Sequence, residues 1–160
     1  MKTTPKLRLA LPDGPAMAEI LVIAGVLALA FALTFARLVR ASYDHDEDQF
    51  IASARLLADH SLLPYRDYPY FHAPYLTIVY ALLLPLTGHY NLFAARAFSF
   101  LCGLAAVLAL VLITRDLFRR HRPSLRLWAM AAVGLLLVPN PLFTDANRRG
   151  WNHSLPVLLT

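Results

Sequence analysis

RDLFRRHRPSLR, residues 115–126, holds five arginines between two long apolar runs. Arginine and lysine beside an apolar run stay on the cytoplasmic face of a membrane, so this stretch fixes a side. Lys2, Lys6 and Arg8 at the N-terminus belong to that same side. An even number of crossings must therefore separate the two groups. A helix rises 1.5 Å per residue, and about twenty apolar residues cross a hydrocarbon core of roughly 30 Å. Residues 16–38, 92–114 and 125–143 reach that length. Residues 75–86, YLTIVYALLLPL, do not, and they carry Pro85. Two crossings before the arginine-rich turn satisfy the parity, which leaves 75–86 as a juxtamembrane helix on the outer face.

The resulting map is an all-α integral membrane protein with about three transmembrane helices. A cytoplasmic tail (1–15) leads into the first span (16–38), an external loop (39–91) and the second span (92–114). A cytoplasmic loop (115–124) and the third span (125–143) follow, then an external segment (144–160). Trp151 suits a membrane interface, and residues 155–160 read as the opening of a fourth span. An apolar half-helix at that point predicts that the chain is the N-terminal part of something longer. The run behind Lys2 and Lys6 is too long for a signal-peptide core and closes in no small-x-small site, so it is expected to be retained. Arg37 and Arg40 stand against the charge rule at the outer end of the first span, and the acids that follow are expected to pair with them.

Composition agrees with this class. Of 160 residues 58% are hydrophobic and 16% charged, against roughly 25% charged in an ordinary soluble domain. The mean hydropathy is +0.52. A net charge of +5 raises the question of nucleic acid, but the arginines cluster beside apolar runs rather than on an aromatic-laced basic surface, which argues against nucleic-acid binding. The single cysteine, Cys102, lies inside an apolar run and founds no disulfide framework.

The external loop carries the chemistry. Its stretch SYDHDEDQFIASARLL, residues 42–57, crowds Asp44, His45, Asp46, Glu47 and Asp48 into about one turn. Phe50, Ala54 and Leu57 recur at helical spacing with Asp48, Arg55 and Asp59 on another face, so 46–60 is expected to be an amphipathic helix. Asp46 and Glu47 precede Phe50 and Ile51 by four residues and sit above the apolar stripe, turned toward the membrane side. Asp44 as N-cap with Glu47 completing a capping box accounts for two acids without any catalytic role. Downstream, LPYRDYPYFHAP (63–74) sets Asp67 and His72 among tyrosines, with Pro64, Pro69 and Pro74 excluding regular structure. Tyr65, Tyr68, Tyr70 and Tyr75 read as an interfacial aromatic belt, and the loop that carries Asp67 and His72 can also fold back over the helix bearing Asp46 and Glu47; the two readings are compatible. Arg96 enters the second span about one turn below its outer end, where it either snorkels to the interface or meets a buried anion.

In order and placement these motifs resemble the N-terminal region of the GT-C membrane glycosyltransferase superfamily, in its protein mannosyltransferase and aminoarabinose transferase branch. The resemblance rests on Asp46-Glu47, Pro64-Tyr65-Arg66-Asp67, Phe71-His72-Ala73-Pro74 and Ala95-Arg96, and covers residues 15–145. It implies transfer of a sugar from a polyprenyl-phosphate donor to an acceptor on the outer face of a bacterial inner (plasma) membrane. The partners would be that lipid-linked sugar donor and membrane lipid. By position Asp46 takes the role of the family's external-loop acid, which acts as general base or helps place the acceptor or a divalent metal such as magnesium or manganese. Glu47 stands beside it, and two close carboxylates raise one another's pKa, as a base near neutral pH requires. Asp67, His72 and Arg96 are the implied substrate-binding residues, Arg96 through the donor's lipid phosphate or a loop acid. Asp145, Arg148, Arg149 and His153 lie where they can join the same cavity. Some relatives carry an acid where His72 stands, so no acidic role passes to that position. Three spans cannot enclose a lipid-sugar cavity, so the 160 residues alone are expected to be inactive. Two other classes fit less of the pattern: a small membrane adaptor, and a transport component binding a divalent cation through Asp44, His45, Asp46 and Asp48.

Overall fold

The computed structural model describes residues 14–42 and 44–150. Trp151, His153 and the 155–160 run, like Lys2, Lys6 and Arg8, lie outside the described residues. The described chain is helical: α1 (Gly14–Arg40), α2 (His45–His60), α3 (Tyr75–Leu83), α4 (Asn91–Leu117), α5 (Pro123–Leu137) and α6 (Pro141–Arg148). A 3₁₀ turn, Leu84–Leu86, extends α3 up to and past Pro85.

Helices α1 and α4, 27 residues each, are long and apolar enough to cross a membrane. Leucine and alanine dominate both, and these are strong helix formers. They run antiparallel, because Phe31 meets Phe100 at one level and Glu19 meets Arg115 at another. α5 runs alongside α1, with Gly134 against Val26 and Arg126 against Glu19. Val26, Ala30, Val107, Val111 and Met130 form the core of this three-helix bundle.

The third span departs from expectation. Residues 125–143 are not one straight helix: α5 stops at Leu137, and α6 leaves it at an angle of 68°. The cause is local: Pro139 and Pro141 remove two backbone donors, and Pro141 holds Asn140 extended (ψ 122°), although Val138 before Pro139 keeps helical angles. Asn140 then restarts the chain as N-cap, its side chain accepting from the Leu142 amide at 2.9 Å. Taken as a single broken span, α5 and α6 supply a third crossing.

The end of the bundle remote from the arginine-rich turn carries a second core. Here α2, α3 and the start of α4 meet through Phe50, Ala54, Leu76, Tyr80 and Ala95. At twelve residues the apolar unit Tyr75–Leu86 is too short to cross alone. It packs across α2 and α4 instead.

At the opposite end lies a clamp that the sequence reading did not single out. Glu19, with only 9% of its side chain exposed, accepts from Arg115 Nε at 2.6 Å and also pairs with Arg126. One carboxylate thus ties α1 to both sides of the arginine-rich turn.

Gly134 lies at a close approach of α5 to α1. A Cβ built there lies 2.5 Å from a methyl carbon of Val26, whose β-branched side chain has little freedom to move aside. Gly134→Ala is expected to lower stability by about 1–3 kcal/mol. Thermal unfolding in detergent, followed by circular dichroism, checks this. Adding Val26→Ala should recover part of the loss, whereas a purely additive double variant would refute the crossing.

Candidate functional site

Asp44 has extended backbone angles and caps α2 by accepting from the Asp46 amide at 3.1 Å. The helix closes at Ser61 in the left-handed region, with Ser61 and Leu62 amides bonded back to Leu57 and Leu56. Between these ends the expected faces form. Phe50 and Ala54 are buried, Asp48 is exposed, and Arg55 pairs with Asp59 at 3.0 Å one turn on.

Glu47 does not complete a capping box. Its side chain is wholly buried and forms a two-pronged ion pair with Arg96, Nε to Oε1 at 2.9 Å and Nη2 to Oε2 at 2.6 Å. Arg96 also donates to the carbonyls of Ala41 (3.3 Å) and Ser42 (2.9 Å) just past the end of α1. Carbonyls at a helix C-terminus lack intrahelical partners and carry the negative end of the dipole, so a guanidinium suits them. The Gly150 amide, just beyond α6, donates to Glu47 Oε1 at 2.7 Å. Arg96 is therefore neither snorkelling nor open to a lipid phosphate. It meets a loop acid.

Asp46 is placed differently from its neighbour. About half of its side chain is exposed, and its carboxylate meets His45 Nε2 at 3.0 Å. The expectation that Asp46 and Glu47 act as one pair turned toward the membrane side is thus corrected. Successive helical residues point about 100° apart, and Glu47 is drawn away by Arg96. Asp44 pairs with Arg149, and Arg148 with Asp145, so these residues do gather at the same end. Arg37 donates to Thr144 Oγ1 on α6 rather than pairing with the acids that follow α1, and Arg40 is exposed.

Asp67 and His72 serve the loop. Asp67 receives Arg66 Nε and Nη2 at 2.9 and 2.8 Å and the Leu63 amide at 2.7 Å, which closes the turn around Tyr65. The Arg66 hydrogen bonds, then the Leu63 amide, hold the Asp67 carboxyl below the usual range for aspartate. A depressed pKa means that the turn keeps this support above the ordinary aspartate value and loses it as pH falls through the lowered one. Tyr65 itself has φ +67°, a costly conformation for a residue with a side chain, and its hydroxyl donates to the His72 carbonyl. The His72 ring packs 4.8 Å from that of Phe50, which seats the loop on α2.

Two of the four tyrosines read as a belt turn inward. Tyr70 hydrogen-bonds Thr77 at 2.7 Å, Thr77 reaches Ser53 at 3.4 Å, and Ser53 bonds Tyr68. Burial pushes the Tyr70 phenol up, which keeps it neutral within this chain of hydroxyls. The signal available in the sequence was Ser53 and Thr77, small polar residues on otherwise apolar helix faces.

Asp44, His45 and Asp46 can bring three ligand atoms within 4.8 Å of one another. As a magnesium or manganese site the trio fits poorly. Asp44 is already engaged by Arg149 and by the helix cap, and too few oxygen ligands remain. Comparison of the chain with family models, curated proteins and solved structures gave no match.

Breaking a buried ion pair from one side strands the other charge, at a cost of about 3–5 kcal/mol. Glu47→Gln and Arg96→Ala are each expected to lose stability in that range by thermal unfolding. Arg96→Lys should not rescue, because an ammonium cannot make the two-pronged contact. A melting temperature unchanged in all three would contradict the clamp.

Proposed function

We propose that this chain is the N-terminal part of a membrane glycosyltransferase that moves a sugar from a polyprenyl-phosphate donor to an acceptor on the outer face of a bacterial inner membrane. The N-terminus and the arginine-rich turn lie in the cytoplasm in this reading, and α2 with its loop lies outside. Support comes from the GT-C-like order of Asp46-Glu47, the Pro64–Asp67 stretch and Arg96, together with apolar helices long enough to span.

The observation that carries the reading is a division of labour among the acids. Asp44 caps α2 and Glu47 is sealed against Arg96, while Asp46 keeps a half-exposed carboxylate beside an imidazole. A carboxylate that is held in place but open is what a general base needs. As the acceptor hydroxyl attacks the anomeric carbon, Asp46 takes its proton. The bond from that carbon to the phosphate oxygen breaks, and polyprenyl phosphate leaves as the anion. Glu47 is thereby reassigned from catalysis to positioning, since it fixes the first turn of α2 on which Asp46 stands.

A positioned general base contributes roughly 10²- to 10⁴-fold. In membranes containing the complete protein, Asp46→Asn should reduce transfer of radiolabelled sugar from polyprenyl phosphate by at least about 100-fold without changing membrane insertion. Transfer at the unaltered rate would remove Asp46 from the mechanism and the main support for the assignment.

A further inference from the structure

Asp46, Gln49 and Ser53 follow one another at intervals of three and four residues, so they form one stripe along α2. That stripe is not the one that carries Glu47 into the Arg96 clamp. Gln49 stands about 4.5 Å further along the helix axis than Asp46. Beside it, α2 and the loop at 68–71 enclose a cleft of about 230 Å³.

The lining of the cleft is amphipathic. Ser53 and Tyr68 supply hydroxyls, and Leu56 supplies apolar surface. Phe71 forms one wall and is 90% exposed, although the loop beneath it is pinned by Tyr65, Asp67 and His72. Gln49 is exposed, and its amide makes no hydrogen bond among the described residues. An exposed aromatic ring on a pinned loop, beside an unengaged amide, matches a sugar ring, which offers apolar C–H bonds on one face and hydroxyls at its edge. The volume falls below the roughly 300–1,000 Å³ of pockets for drug-sized ligands, as a single monosaccharide ring requires.

We propose that this cleft is the acceptor subsite and that the acceptor is a carbohydrate. One ring packs its C–H face on Phe71, its hydroxyls bond Gln49 and Tyr68, and a further hydroxyl reaches Asp46 one turn away. The inference rests on the transferase reading and adds the chemical class of its acceptor. No new step is needed: the hydroxyl that loses its proton to Asp46 belongs to the bound ring.

Saturation-transfer NMR on the whole chain in detergent, with the methyl glycosides of glucose, galactose and mannose as probes, tests the site without any turnover. At least one glycoside should receive saturation at its ring C–H protons from the unaltered protein. Phe71→Ala and Gln49→Ala should each weaken that signal at least about tenfold, with far-UV circular dichroism unchanged because both side chains are exposed. Asp46→Asn should keep most of it, since the ring is held at Phe71, Gln49 and Tyr68 and an amide still bonds the hydroxyl that reaches position 46. Absence of any signal from the unaltered protein, or its survival in Phe71→Ala, would overturn the proposal. So would an effect of Phe71→Ala confined to partition into phosphatidylglycerol vesicles, because Phe71 would then be a lipid anchor. Glycoside binding alongside unimpaired transfer by Asp46→Asn would instead sink the transferase reading and leave a sugar site standing. Loss of transfer in Asp46→Asn with no glycoside binding would do the reverse.

Discussion

The ion pair between Glu47 and Arg96 is the contact on which the arrangement of this protein depends. Four stretches of chain converge on it: the exit from α1 through the Ala41 and Ser42 carbonyls, the first turn of α2, the second turn of α4, and Gly150 beyond α6. An arginine inside a membrane-spanning helix is costly unless its charge and donors are satisfied. Here a buried carboxylate and two carbonyls satisfy it. Because each partner would be stranded without the other, the pair holds α2 against the bundle and sets the rotation of its first turn.

That rotation separates acids that are adjacent in sequence. With Glu47 turned inward, Asp46 falls on the stripe that continues through Gln49 and Ser53 to the aromatic cleft, and Asp48 falls in solvent. The clamp at Glu19, with Arg115 and Arg126, performs a similar task at the other end of α1. The packing of α1 and α4 is thus pinned electrostatically near both ends, that of α5 at its start through Arg126, and aliphatic side chains fill the space between.

The long helices were legible because hydropathy and length are properties of consecutive residues. Residues 16–38 and 92–114 each lie inside a single observed helix, and 46–60 differs from α2 by one residue. The bend after Leu137 was also written in the sequence, in Pro139-Asn140-Pro141, but the apolar run through it masked the proline signal. Partner choice was not legible. Glu47 and Arg96 are 49 positions apart and Glu19 and Arg115 are 96 apart, and nothing local says which acid an arginine will meet. The inward turn of Tyr68 and Tyr70 likewise depends on Ser53 and Thr77, which only folding brings beside them.

Hydrogen–deuterium exchange along α2 tests the central claim most directly, because it reads whether that helix is held rather than how stable the whole chain is. In the unaltered protein the amides from Gln49 to Leu57 should be protected to nearly the degree of those in α4. In Arg96→Ala, α2 should exchange much faster while α1 and α4 remain slow. Protection of α2 undiminished by the loss of Arg96 would show that the apolar contacts of Phe50 and Ala54 hold it alone, and would contradict the account.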